Sequence, residues 1–364
     1  MISMTAIKMP RAVRGGVTLV ELLVVVTIAV ILVASAVPLM KPALRDSQLR
    51  EAARQINVYF ALAKARGIQH GRGAGVMIQR ADPGSNAAFE MFMAETPPPY
   101  AGDVIGAVAT LEDNWPKDPT TGNSIPDGNY ESAVFTDSNS FNLSFLVQVG
   151  DLIQFNYQGA WYEITLVSTA VRNVGGTPTT VPLIEFAPKS AGANAYPGLS
   201  ASVPYKVARR PRKSSGAPLQ FNGGVVIDLE YSGIGASGQQ FDAALTNDTT
   251  ASPPVLNNLP ILIMFDGSGA ISRVYGSAVL ATTSPPTYSI PGNGVAPTGT
   301  LHLLVGRFEQ TGALAEVTNL QDPKNVWISI GDRTGTVTSA ANLTASSIAA
   351  ARELARSGQS MGGI

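Results

Sequence analysis

The sequence predicts an α+β protein: one long N-terminal helix packs its second half on an antiparallel β-sheet head, and a β-rich segment is inserted into that head. Three observations carry this. Residues 17–40 form an apolar run whose only charge is Glu21. Residues 44–66 place Leu49, Ala52, Ala53, Ile56, Tyr59, Phe60 and Ala63 on one stripe at helical spacing, with Arg50, Glu51, Arg54 and Lys64 elsewhere. Beyond residue 70, short apolar runs alternate with Gly, Pro, Thr, Ser and Asn, the pattern of strands joined by turns.

The bulk composition narrows the class. With 364 residues the chain suits two modest domains or one elaborated domain. At 45% hydrophobic and 14% charged it is too apolar for a disordered polyelectrolyte. Net charge is −1, and Lys8, Arg11 and Arg14 all precede the apolar run; losing those three cations leaves −4. A mildly acidic body gives no general reason to expect nucleic-acid or anionic-lipid binding. The chain has no cysteine, which excludes thiol and iron–sulfur chemistry and leaves the fold to its apolar core.

The apolar run from Val17 to Met40 has 24 residues. As a helix it spans about 36 Å, enough for a hydrocarbon layer of about 30 Å. A secretory signal has a shorter apolar stretch, about 7–15 residues, followed by small residues; here Gly15-Gly16 come before it. The basic residues at the start predict a cytoplasmic N-terminus and send the rest of the chain outward, as in a single-pass anchor. An uncut anchor leaves Glu21 unexplained, since a carboxylate in a bilayer costs at least about 2.5–3.5 kcal/mol and usually has a partner. A cut between Gly16 and Val17 would supply one. The new α-amine of Val17 would lie about one turn from Glu21, or beside Glu21 of a neighbouring chain, and the two charges would neutralise each other.

These residues resemble the class III leader of type IV pilins and type II secretion pseudopilins. A basic leader ends in Gly16, an apolar Val17 follows, then Thr18-Leu19-Val20-Glu21-Leu22-Leu23. Glu21 is fifth and Pro38 twenty-second after the cut. The resemblance implies a pilin-like fold, cleavage after Gly16 by a membrane-bound aspartic prepilin peptidase, N-methylation of Val17 and a requirement for Glu21 in assembly. Val17 departs from the family's usual Phe or Met. "INVYFALAKARGIQHGRGAGVMI" (56–78) is similar to the H-type minor pseudopilins and their FimT-like relatives, as are "ILIMFDGSGAISRVYG" (261–276) and "VWISIGDRTGTVTSA" (326–340). The implied protein is a non-catalytic minor pseudopilin without cofactor, a single-pass bacterial inner-membrane protein with a periplasmic head that enters a periplasmic pseudopilus on assembly and supports protein export. Its implied partners are prepilin peptidase, other pseudopilins and the inner-membrane secretion platform. The alternative is a minor type IV pilin for adhesion or DNA uptake.

The expected organisation is a leader (1–16), a transmembrane or filament-core helix (17–40), an amphipathic helix half with the first head strands (41–95), an inserted β-rich segment (96–204), the C-terminal sheet (205–343) and a short helical tail (344–364). The helix, 17–67, is expected to bend at Pro38 and Pro42, which lack an N–H and clash with the preceding turn. A first strand follows at Val76–Gln79. Residues 96–130 read as loop. "FNLSFLVQV", "GDLIQFNYQ", "GAWYEITLVS" and "TVPLIEFA" (141–187) read as strands of a small barrel or meander. Val225, Ile227 and Leu229 alternate along a further strand, and 234–258 and 282–299 read as loops. The tail predicts a helix capped by Thr344 and stopped at Gly358.

Catalytic readings find little support. The two histidines, His70 and His302, have no metal-ligand spacing with acids. No G-x-S-x-G marks a nucleophile elbow. "GIGASG" (233–238) matches a dinucleotide fingerprint, but loop-like residues follow where a helix is needed. "RRPRK" (209–213) is a candidate phosphate contact, with a solvated turn as the plainer reading. Asp113, Asp118 and Asp127 offer oxygens for calcium, but at no compact spacing.

Overall fold

The structure, a computed structural model, describes residues 18–112, 132–135, 142–188, 202–236, 239–243, 259–276, 294–312, 315–345 and 347–360. Two compact units divide between Gln48 and Leu49. Helix α1 is Leu19–His70. In the first unit its backbone stays helical through Pro38 and Pro42, with side chains described for residues 19–34 and 44–48.

The second unit is mostly β. After α1 come β1 (Ala74–Gln79), β2 (Ala87–Ala88), β3 (Glu90–Glu95), β4 (Val108–Glu112) and β5 (Ser132–Val134). A one-turn helix α2 (Leu143–Leu146) precedes β6 (Leu152–Phe155), β7 (Tyr162–Val174), β8 (Thr177–Pro188) and β9 (Ser202–Ala208). Then follow β10 (Arg212–Lys213), β11 (Leu219–Gln220), β12 (Val225–Ile234), β13 (Ile261–Phe265) and β14 (Ile271–Tyr275). The chain continues with β15 (Leu301–Arg307), β16 (Val326–Ile330), β17 (Val337–Ala341) and α3 (Ile348–Ser360).

These strands form three antiparallel systems. One sheet has the order β10-β3-β1-β13-β14, with β11 also on β3; a second runs β17-β16-β15-β12-β2; and β4-β5-β8-β7-β6-β9 close into a barrel. The two sheets and α1 share one core. Leu49, Ile56, Phe60 and Ala63 of the helix cluster with Val76, Ile263 and Phe265 of the first sheet and Ile227, Leu303 and Ile328 of the second. Strand β13 is buried at every position, which explains its unbroken apolar sequence. The other face of the second sheet is covered by α3, where Ala351 and Ala355 meet Tyr231, Leu304 and Trp327. The barrel has its own core, built from Phe135, Phe155, Tyr162, Phe186 and Tyr205; closure leaves its strands without the open edges that invite aggregation. Hairpin β7–β8 turns at Gly175 and Gly176, both at positive φ (59° and 86°), the geometry a two-residue type I′ turn requires.

Several expectations are corrected. The pilin-like fold, a long helix on one antiparallel head sheet with an inserted β-rich segment, gives way to a chain dominated by two sheets and a closed barrel. The reason lies in pairing: β1 and β3 join β13 and β14, whereas β12 joins β15 and β16, so the expected single head sheet is two sheets around a common core. The transmembrane helix is also corrected, and with it the single-pass inner-membrane placement. Among the described residues no helix is long and apolar enough to cross a membrane.

Smaller differences have local causes. The expected strand "FNLSFLVQV" contains α2 instead, followed by a turn at Val149–Gly150. Helix α3 is capped by Ser347, whose Oγ accepts the Ala350 N–H at 3.2 Å, while Thr344 bonds the Gln321 carbonyl. It runs through Gly358 to Ser360.

Candidate functional site

The described start of α1 is apolar on every side and exposed on every side. Leu19, Leu22, Val25, Ile28 and Ile31 are 79%, 61%, 65%, 52% and 62% exposed. A helix that is hydrophobic all round is ordinarily a buried one, so this segment lacks its covering. The chemistry within it is confined to two polar groups and one acid. Thr27 returns its hydroxyl to the Leu23 carbonyl at 2.8 Å, the usual resort of a threonine with no other partner.

Glu21 is held at the helix N-terminus by Thr18. The Thr18 N–H and hydroxyl both donate to Glu21 Oε2, at 2.9 and 3.0 Å, and the Glu21 N–H donates back to Thr18 Oγ1 at 3.2 Å. This is a capping box, which satisfies orphan donors of the first turn and sets a negative charge at the positive end of the helix dipole. The sequence carried the signal, Thr18-x-x-Glu21 ahead of an apolar run, and the membrane reading of the acid passed over it. Glu21 shares its side of the helix with Val20, Val24 and Val25, which line a shallow depression with it. Gly16 and Val17, the expected cleavage and methylation residues, lie outside the described residues.

The other candidates resolve into structure. His302 is buried, its Nδ1 is 2.9 Å from Ser329 Oγ, and its ring meets Trp327 edge-on. Burial, then the nearby Arg352 and Arg356, pulls its pKa down to about 4, so it is neutral near pH 7. His70 ends α1 in an exposed position. No group of three or more His, Cys, Asp or Glu is placed to hold a metal among the described residues; Asp113, Asp118 and Asp127 lie outside them. Of the "GIGASG" glycines, Gly233 makes room for α3. A Cβ there would fall 2.8 Å from Arg352 Nη2 and 2.4 Å from the Gln239 carbonyl oxygen.

The basic cluster "RRPRK" joins the barrel to the first sheet. Arg209 donates to the Pro98 carbonyl from Nε and Nη2, at 3.1 and 2.8 Å. Arg210 donates from Nε to the Gly150 carbonyl at 2.9 Å and from its N–H to Asp151 Oδ1 at 2.7 Å. Arg212 donates to the Leu146 carbonyl at 2.6 Å and lies 3.5 Å from Asp151 Oδ2. Asp151 is fully buried, and burial raises its pKa against these donors. Three of the four cations therefore answer internal acceptors.

Two buried polar arrangements had no reading from sequence. Arg352 of α3 is fully buried and donates to the Tyr231 carbonyl from Nη2 and Nε (2.7 and 3.3 Å) and to the Gly235 carbonyl from Nη1 (3.1 Å). Burial lowers its pKa to about 10, still far above neutrality. Asp228 on β12 accepts the Asn319 side-chain amide at 2.7 Å and the Glu230 N–H at 3.0 Å, and burial pushes its pKa up to about 7. Asn319, Asn325 and Asn342 extend this network and tie the loop before β16 to the sheet.

No family model and no curated protein matches this chain. Among solved structures, the phage phi92 endosialidase is similar at a TM-score of 0.18 and 10% identity over 74% of this chain, which spans 36% of that protein's length. A likeness at that level carries no argument about fold or function.

Proposed function

We propose that this chain is a non-catalytic filament subunit of the minor pseudopilin kind. Prepilin peptidase cuts it after Gly16, and it assembles with related subunits through the first turns of α1 to support protein export. The observation behind this reading is the all-round exposure of the apolar helix from Leu19 to Val33, with Glu21 its one charged side chain. Covering each large side chain in a bundle of like helices stabilises the assembly by roughly 1.5–3 kcal/mol. The carboxylate then needs a cation, and the α-amine of Val17 is the charge that cleavage creates. Three of the four cations of the basic cluster are held by internal carbonyls and Asp151, which leaves Lys213 alone as a phosphate contact and gives a DNA-uptake role little support.

The absence of native cysteine gives a clean test. Single Val20→Cys and Val24→Cys variants, produced in the native host and oxidised, are expected to give disulfide-linked oligomers that depend on prepilin peptidase. Monomers alone, at both positions and with the peptidase present, would contradict packing through this helix.

A further inference from the structure

The end of α1, the start of β1, the end of β3 and strand β10 enclose a cavity of about 460 Å³. Its charged lining is one-sided. Arg72, Arg212 and Lys213 face it together with the His70 imidazole, and Glu95 is the single acid. Glu95 is matched elsewhere: its Oε1 accepts the Ser214 hydroxyl at 3.1 Å and lies 3.6 Å from Arg66 Nη1. Arg212 is engaged by the Leu146 carbonyl and Asp151. Arg72 and Lys213 are exposed and, among the described residues, have no carboxylate partner. Lys213 is also held in place, its Nζ 3.3 Å from the centre of the Phe92 ring. Thr96 and Ser215 add hydroxyls to the same lining, and the Ser214 hydroxyl is already given to Glu95.

On a chain of net negative charge, a concave site with two cations that have no carboxylate partner among the described residues, and with the Thr96 and Ser215 hydroxyls beside them, selects for oxygen-bearing anions. We infer that this cavity is a binding site for a small organic oxyanion, a sugar-sized ligand bearing a phosphate or a carboxylate. Arg72 grips the anionic head with its guanidinium fork, Lys213 adds a point charge, and the hydroxyls of Thr96 and Ser215 take the sugar oxygens. Phosphate and carboxylate share this chemistry, and the size of the cavity admits either.

The test is calorimetric titration of the purified full-length chain at fixed ionic strength with glucose 1-phosphate, glucuronate and uncharged glucose. Saturable one-to-one binding of at least one of the two anions, with none of glucose, is expected, and the tighter of the two identifies the head group. Arg72→Gln and Lys213→Gln are exposed changes that leave the core untouched. Each is expected to weaken binding about tenfold, as the loss of one charge-assisted contact should. Failure of both anions to bind, equal binding of glucose, or unchanged affinity in both variants would overturn the site.

Discussion

Glu21→Gln is expected to abolish filament assembly while leaving α1 folded and the precursor cut. Glutamine can replace glutamate in a capping box, because its side-chain oxygen still accepts from the Thr18 N–H and hydroxyl. The substitution removes the charge and little else. If the carboxylate neutralises a terminal amine inside a packed bundle, its loss strands an ammonium there, at roughly 3–5 kcal/mol. Assembly should then fall by at least about a hundredfold. Thr18→Ala makes the opposite cut: the charge stays and the cap is lost, at about 1 kcal/mol of helix stability. Filament yield by sedimentation, with precursor processing followed by mass, separates the two roles. Equal yields for Glu21→Gln and the parent chain would reduce Glu21 to a helix cap.

Arg352→Met is expected to lower the stability of the second unit by about 2–4 kcal/mol, since the carbonyls of Tyr231 and Gly235 lose a charged donor in a dry site. Methionine keeps most of the volume, so the loss reports hydrogen bonding more than packing. Arg352→Lys should rescue little, because an ammonium cannot reach both carbonyls with a planar fork. Helix α3 covers Trp327 and Leu304, so hydrogen exchange along 348–357 should rise together with the fall in melting temperature. A melting temperature within experimental error of the parent would show that apolar contacts alone hold α3.

Local patterns in the sequence were easier to read than pairings. The stripe at Leu49, Ile56, Phe60 and Ala63 is the buried face of α1, because helical spacing alone decides which residues share a side. The alternation at Val225, Ile227 and Leu229 belongs to β12 for the same reason at period two. Which strands pair is a non-local matter. Nothing in "GVMI" or "ILIMF" distinguishes one sheet from two, and that is where the single-sheet expectation failed. Leu143–Leu146 misled because a short apolar run fits a strand and a helical turn equally well.

The site shows the same division. Thr18-x-x-Glu21 is a four-residue signal legible in the sequence, yet an acid in an apolar run reads as readily as a buried charge in need of a partner as it does as half of a cap. Arg352 and the Asn319–Asp228 pair were illegible, since each depends on partners about 90–120 residues away in the chain. The cations of "RRPRK" looked like a surface patch because sequence cannot show that Asp151 and three carbonyls wait beside them.

If cleavage after Gly16 makes the assembling subunit, the N-terminus of the mature chain records it. Intact mass and N-terminal sequencing are made on the protein from its own host, with and without prepilin peptidase. A chain that begins at Val17 and carries one added methyl group is expected when the peptidase is present, and an uncut chain when it is absent. A chain that keeps Met1 or Met4 in both strains would contradict it and leave Glu21 with no role beyond its bond to Thr18.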